Sequence, residues 1–74
     1  MAEYQGHRSW NAWSVALTLA NDEPLYTRAV ELLAKYPLDR AARVMARELR
    51  GERTPEGAHY NLLCIREALR AAGL

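Results

Sequence analysis

Three prolines divide this chain, at positions 24, 37 and 55. A proline inside an α-helix removes a backbone hydrogen bond and clashes with the turn before it. Each must therefore sit at a helix end or outside a helix, and the residues around each one suit a helix boundary. In Asn21-Asp22-Glu23-Pro24, Asn21 or Asp22 can accept the free amide hydrogens of a following helix. Glu23 adds negative charge near that N-terminus, and Pro24 fits the first turn, where no amide donor is needed. Tyr36-Pro37 ends the same helix, because a residue before proline is pushed out of the helical region. Thr54-Pro55-Glu56 repeats the start signal with Thr54 as cap, and Gly51 is placed to cap the helix before it.

Apolar spacing fills in the four segments so marked. The first opens at Ser9 as N-cap and runs from Trp10 to about Ala20, with Trp10, Trp13, Leu17 and Ala20 at the three- and four-residue spacing that a helix requires. Val15, Leu17 and Leu19 also alternate, so a short strand over residues 14–20 competes with the helix, although no second strand is on hand to pair with it. Leu25, Ala29, Leu32, Leu33 and Tyr36 form the apolar face of the second helix. The third is capped near Asp39, ends around Arg50 and carries Leu38, Ala41, Ala42, Met45 and Leu49 as its stripe. The fourth runs from Thr54 with Ala58, Leu62, Ile65, Leu69 and Ala72 at helical spacing, and Gly73 ends it. Short connections point to antiparallel neighbours. The expected fold is all-α, a compact bundle of about four short helices in a single domain spanning 1–74, with residues 1–8 flexible or extended.

Composition narrows the class of function. Half of the 74 residues are hydrophobic, enough for a core at a size where one core is barely sufficient. Cys64 is the sole cysteine, so no disulfide can staple the chain, which suits a reducing compartment. There is no apolar run of about eighteen residues, and Met1 to Arg8 is polar; neither a membrane span nor a signal peptide is expected. A cytoplasmic protein without a membrane partner follows. The net charge of +1 speaks against both a DNA mimic and a non-specific nucleic-acid binder. Nine of the ten basic residues are arginine, Lys35 being the exception. A GC-rich genome accounts for that bias, and arginine also favours bidentate contacts at interfaces.

Residues for catalysis or cofactor binding do not assemble. His7 and His59 match no metal-ligand spacing. His59 reads as an exposed or half-buried helix residue, and Cys64, between Leu63 and Ile65, as a small buried hydrophobe. Ser9 and Ser14 lack a nucleophile-elbow setting, and Gly6, Gly51, Gly57 and Gly73 form no phosphate loop. No catalytic, cofactor or metal residue is nominated. The expectation is a non-enzyme that works by binding.

Two surfaces could carry that binding. Arg40, Arg43, Arg47 and Arg50 fall within about 80° of one another on the third helix, opposite its apolar stripe. Five arginines against three carboxylates leave residues 39–53 at +2. This is either an ordinary solvated face or a positive ridge for an acidic protein patch or for phosphates. A variant makes helices two and three a helix-turn-helix, with Tyr36-Pro37-Leu38-Asp39 as the turn. The second surface is aromatic: Trp10, Trp13 and Tyr26, in a chain with Tyr4, Tyr36 and Tyr60 but no phenylalanine. Such residues either close a small core or meet a partner or a second copy of the chain, as a homodimer would.

One stretch adds a resemblance. Trp13-Ser14-Val15-Ala16-Leu17-Thr18-Leu19-Ala20-Asn21-Asp22-Glu23-Pro24-Leu25-Tyr26 resembles a segment of small uncharacterised phage and mobile-element proteins whose pattern reads W-N-V-x-L-W-I-x-N-D-E-x-L-Y. Trp13, Val15, Leu17, Asn21, Asp22, Glu23, Leu25 and Tyr26 match; Ser14 stands for the asparagine and Thr18 for the second tryptophan. The resemblance covers about a fifth of the chain. It implies a phage-borne accessory protein, such as an anti-CRISPR inhibitor, that acts by protein–protein contact on a host defence complex in the host cytoplasm. A DNA-binding helix-turn-helix and a structural oligomerisation module are the alternatives.

Overall fold

The computed structural model describes residues 9–72. These form α1 (Trp10–Asn21), α2 (Glu23–Lys35), α3 (Leu38–Glu48) and α4 (Leu62–Ala72). The expected all-α bundle is what the chain adopts. The expectations for residues 1–8 and for Gly73 lie outside the described residues. Residues 14–20 are helical, which decides against the short strand. Among the described residues the only extended pairing is an isolated antiparallel bridge, Arg53 to His59.

Two of the expected caps form as read. Ser9 Oγ accepts from the Ala12 amide at 3.1 Å, and Asp22 Oδ1 from the Leu25 amide at 3.1 Å. Asp22 is also the single residue between α1 and α2. Two other caps are corrected. Pro37 precedes α3 without a side-chain cap, and Asp39 turns outward to take Arg66 Nε at 2.5 Å. Thr54 does not open a helix at all. Thr54-Pro55-Glu56-Gly57 is a tight turn closed by Gly57 N–H to the Thr54 carbonyl at 2.8 Å. Gly57 has φ of 95°, a left-handed conformation that glycine enters without steric cost. Proline suits the second position of such a turn for the same reason that it suits the first turn of a helix: both need φ near −65°. Gly57 is the residue that separates the two outcomes. α4 starts eight residues later than Thr54, where Asn61 caps it through Oδ1 to the Cys64 amide at 2.9 Å.

The core is built from Ala12, Val15 and Leu19 of α1, Ala29 and Leu32 of α2, Ala41, Ala42 and Met45 of α3, and Cys64, Ile65, Ala68 and Leu69 of α4. Cys64 is buried, as its apolar neighbours suggested. Asn11 meets Cys64 near the N-termini of α1 and α4, and Ala16, Leu19 and Ala20 line a groove with Ala68, Leu69 and Ala72 near their C-termini. These two helices therefore run side by side in the same direction, an arrangement that a simple up-and-down bundle lacks. α2 and α3 are antiparallel, with Arg28 in the middle of α2 clamping Glu48 at the end of α3 through Nε at 3.0 Å and Nη2 at 2.5 Å.

The segment between α3 and α4 is anchored by side chains of α1. The Asn11 carboxamide pairs with both backbone groups of His59, donating Nδ2–H to its carbonyl at 2.8 Å and accepting its amide hydrogen at 2.9 Å. Ser14, fully buried, lies 2.7 Å from Thr54 Oγ1 and donates to Glu56 Oε1 at 2.7 Å. A hydroxyl has one hydrogen, so Ser14 must accept from Thr54. Thr54 Oγ1 in turn accepts from the Ala58 amide at 2.9 Å. The result is a directed chain, Ala58 amide to Thr54 to Ser14 to Glu56. Among the described residues, no buried side-chain polar atom is left without a partner.

Ser14→Ala breaks that chain in its middle and strands the Thr54 hydroxyl in the interior. It is expected to cost about 1–3 kcal/mol in urea unfolding. Ser14→Ala combined with Thr54→Val, which also frees the Ala58 amide, should cost less than the two single changes summed; a double mutant at least as destabilised as that sum would refute the coupling.

Candidate functional site

α1 shows three faces, each with its own job. At about 100° per residue, Ala12, Val15 and Leu19 occupy a sector of about 60° in the core. Asn11, Ser14 and Thr18 occupy a second sector of about 60° turned toward the Arg53–Tyr60 hairpin. Trp10, Trp13, Leu17 and Ala20 occupy the remaining sector of about 80°, and this one faces outward. Trp10 is 40% exposed, Leu17 is 37% exposed, Ala20 is exposed and Trp13 is half-buried. Of the two readings of the tryptophans, closing a small core or meeting a partner, Trp10 takes the exposed one and Trp13 lies between them. The interior side of α1 is chosen by the core residues together with a polar flank that has hydrogen-bonding partners.

The aromatic residues singled out in the sequence do not gather into one cluster. Trp10 and Trp13 lie in the first turn of α1, and Tyr26 lies in the first turn of α2. Trp10 and Ala20 are about 15 Å apart along the helix axis. Ala20 and Tyr26 line one groove, and Tyr26 shares a second with Val30, Leu33 and Ala34. Tyr26 and Val30, on the outer side of α2, are 42% and 41% exposed. Leu17 borders a different recess, with Thr18, Asn21, Asp22, Pro55 and Glu56. α1 carries no charged residue from end to end. A helix face that meets water is normally charged or polar. A solvent face of two tryptophans and a leucine on an uncharged helix is the composition of an interface centre.

The arginines are exposed as expected: Arg40, Arg43 and Arg47 on α3, and Arg50 in the turn after it. Arg40 lies over the Tyr36 ring at 5.8 Å. The two carboxylates of α3 are committed elsewhere, Asp39 to Arg66 of α4 and Glu48 to Arg28 of α2. Arg28 also reaches Glu31 at 3.2 Å. Among the described residues, Arg43, Arg47 and Arg50 have no carboxylate within salt-bridge distance. The ridge therefore keeps more of its positive charge than its sequence balance suggests. His59 is exposed, but it belongs to the hairpin and not to a helix. No group of three or more metal-ligating side chains occurs among the described residues, and no helix is long and apolar enough to cross a membrane.

The ion pairs leave a pH signature. The hydrogen bond from Arg66 holds the Asp39 carboxyl below its usual range, and that from Arg28 does the same for Glu48. Both pKa values are lower in the folded state, so the stabilisation is present above the unfolded value of about 4 and fades as pH falls through the folded one. Burial, and then the carboxylates of Asp22, Glu52 and Glu56, push the Tyr60 phenol up. Its contribution is present below pH of about 10 and is lost as pH rises through the folded value. Asp39→Asn with Glu48→Gln should flatten the acid limb of a melting-temperature profile between pH 5 and 2.5. Because the pairs are exposed, the difference should shrink in about 0.5 M salt. An unchanged acid limb would show that the two pairs contribute nothing measurable.

No curated protein and no solved structure shows significant similarity to this chain. Residues 1–70 match the profile of a family of unknown function, DUF7249. That match spans nearly the whole sequence, so the chain belongs to the DUF7249 family.

Proposed function

We propose that this protein acts by binding another protein through the uncharged outer face of α1, and that its partner is a host factor. The observation that carries the reading is the outward stripe of Trp10, Trp13 and Leu17 on a helix without a single charge. Aromatic residues at such positions supply large contact area at low entropic cost and dominate binding energies where they occur. Tyr26 on α2 is an exposed ring with a polar tip, suited to the rim of a contact. The resemblance of residues 13–26 to phage and mobile-element proteins supports a specific version. In it the protein is a compact inhibitor of a host defence complex, in the manner of anti-CRISPR proteins, acting by occupation of a surface without catalysis.

A second reading is favoured by one observation. α2 and α3 are joined only by Tyr36-Pro37, and Arg40, Arg43 and Arg47 project from the second of the two helices. The order of elements is that of a helix-turn-helix, although the helices are antiparallel and the turn is two residues rather than the four read from the sequence. That reading requires duplex DNA binding that weakens steeply with salt.

Trp10→Glu with Leu17→Glu separates the readings. Both side chains are exposed, and a glutamate at the first position of α1 favours the helix dipole, so helicity and melting should be retained. Capture from host lysate, followed by titration of the recovered protein, should show at least a hundredfold loss of affinity for this variant and little change for Arg43→Glu with Arg47→Glu. The reverse pattern, or low-salt duplex binding abolished by the arginine reversals, would move the function to α3. A stable dimer in light scattering, dissolved by the α1 variant and lacking any further partner, would make the face a self-association surface.

A further inference from the structure

A second recess lies on the opposite end of the ridge from Arg40, between the end of α3 and the start of α4. It has a volume of about 330 Å³. Ala46, Leu49 and Tyr60 give it an apolar floor, and Arg50, Arg53 and His59 stand around it. The fold forces these basic groups together. Gly51, with φ of 83°, turns the chain sharply after α3 and brings Arg53 back beside Arg50. Arg53 and His59 are directly opposed in the antiparallel bridge, so their side chains leave the ribbon on one side, about 5 Å apart at Cβ. Among the described residues neither arginine has a carboxylate within salt-bridge distance, although Glu52 shares the rim. Asn61 spends its carboxamide oxygen on capping α4, which leaves its amide hydrogens for the recess that it lines.

We propose that this recess binds a phosphomonoester carried on a small aromatic or apolar body. Two guanidinium groups and one carboxamide offer more donors than the two oxygens of a carboxylate can use, whereas the three terminal oxygens of a phosphoryl group can satisfy them, with bidentate geometry from arginine. The floor of Leu49 and the Tyr60 ring takes the attached body. The volume suits a single phosphorylated side chain or a small free phosphate ester, and the same contacts serve either source. The site is separate from the aromatic face of α1, so it stands whether or not that face is the protein contact.

The test is a titration of the ¹⁵N-labelled protein with phenyl phosphate, benzoate and inorganic phosphate, read by amide chemical shifts. Phenyl phosphate should give saturable shifts at Gly51, Arg53 and Asn61, and bind at least tenfold more tightly than benzoate or inorganic phosphate. Arg50→Ala with Arg53→Ala should weaken it at least tenfold, while Arg43→Ala with Arg47→Ala, on the neighbouring ridge, leaves it unchanged. A phosphotyrosine peptide and a 5′-mononucleotide, added in turn, distinguish a protein source from a free one. Absence of saturable shifts, equal binding of benzoate, or an equal loss in the Arg43/Arg47 variant would each overturn the assignment.

Discussion

Asn11, Ser14 and Thr18 lie on one flank of α1, and what they hold determines how the rest of the chain is arranged. A buried polar flank on a helix is stable only where every donor and acceptor finds a partner. The hairpin between α3 and α4 meets that condition with its own backbone. Asn11 closes on both polar groups of His59, and Ser14 joins Thr54 to Glu56. The Tyr60 phenol has the Thr18 hydroxyl as its hydrogen-bonding neighbour. Hydrogen bonds linked in series polarise one another, and one missing member leaves its neighbours unsatisfied. With that flank committed and the Ala12–Val15–Leu19 stripe in the core, only one sector of α1 remains. Trp10 and Leu17 are exposed and Trp13 is half-buried because the other two faces are taken.

This dependence shows which features were legible in the sequence and which were not. Prolines, caps and the charge pattern located α1, α2 and α3 to within a residue or two, because they encode local conformation. The stripe of α3 was correct at Ala41, Ala42 and Met45, where polar and apolar residues separate cleanly. On α1 the helical spacing was legible but the inward side was not: Trp10 and Trp13 suit either a core or a contact, and nothing local reveals that Ser14 and Thr18 have partners forty residues away. Thr54-Pro55-Glu56 was ambiguous in itself, since a helix start and a tight turn share the proline conformation; Gly57 was the available signal. Asp39 read as a cap because of its position, but an arginine on a distant helix competes for its carboxylate.

The same division orders the surface. Charges are absent from α1 and concentrated on α3, where Arg28 and Arg66 from the flanking helices draw off both carboxylates. Those exposed pairs contribute little stability individually. Their larger effect is on the field: they tie α2 and α4 to α3 while leaving the ridge positive. The molecule thus presents an apolar, uncharged side and a basic side that ends in the recess beside Arg50 and Arg53. Contacts of different chemistry can be made by the two sides without competing for the same residues.

Native-state amide hydrogen exchange tests the central claim directly. If the hairpin is held by the polar flank of α1, the amides of Thr54, Ala58 and His59 open only with the core. They should then exchange within about tenfold of the slowest amides of α1 and α4. The Glu56 amide, at the tip of the same turn, should exchange far faster. Exchange of Thr54, Ala58 and His59 at the Glu56 rate would contradict the account, because the hairpin would then open independently and could not set the orientation of α1.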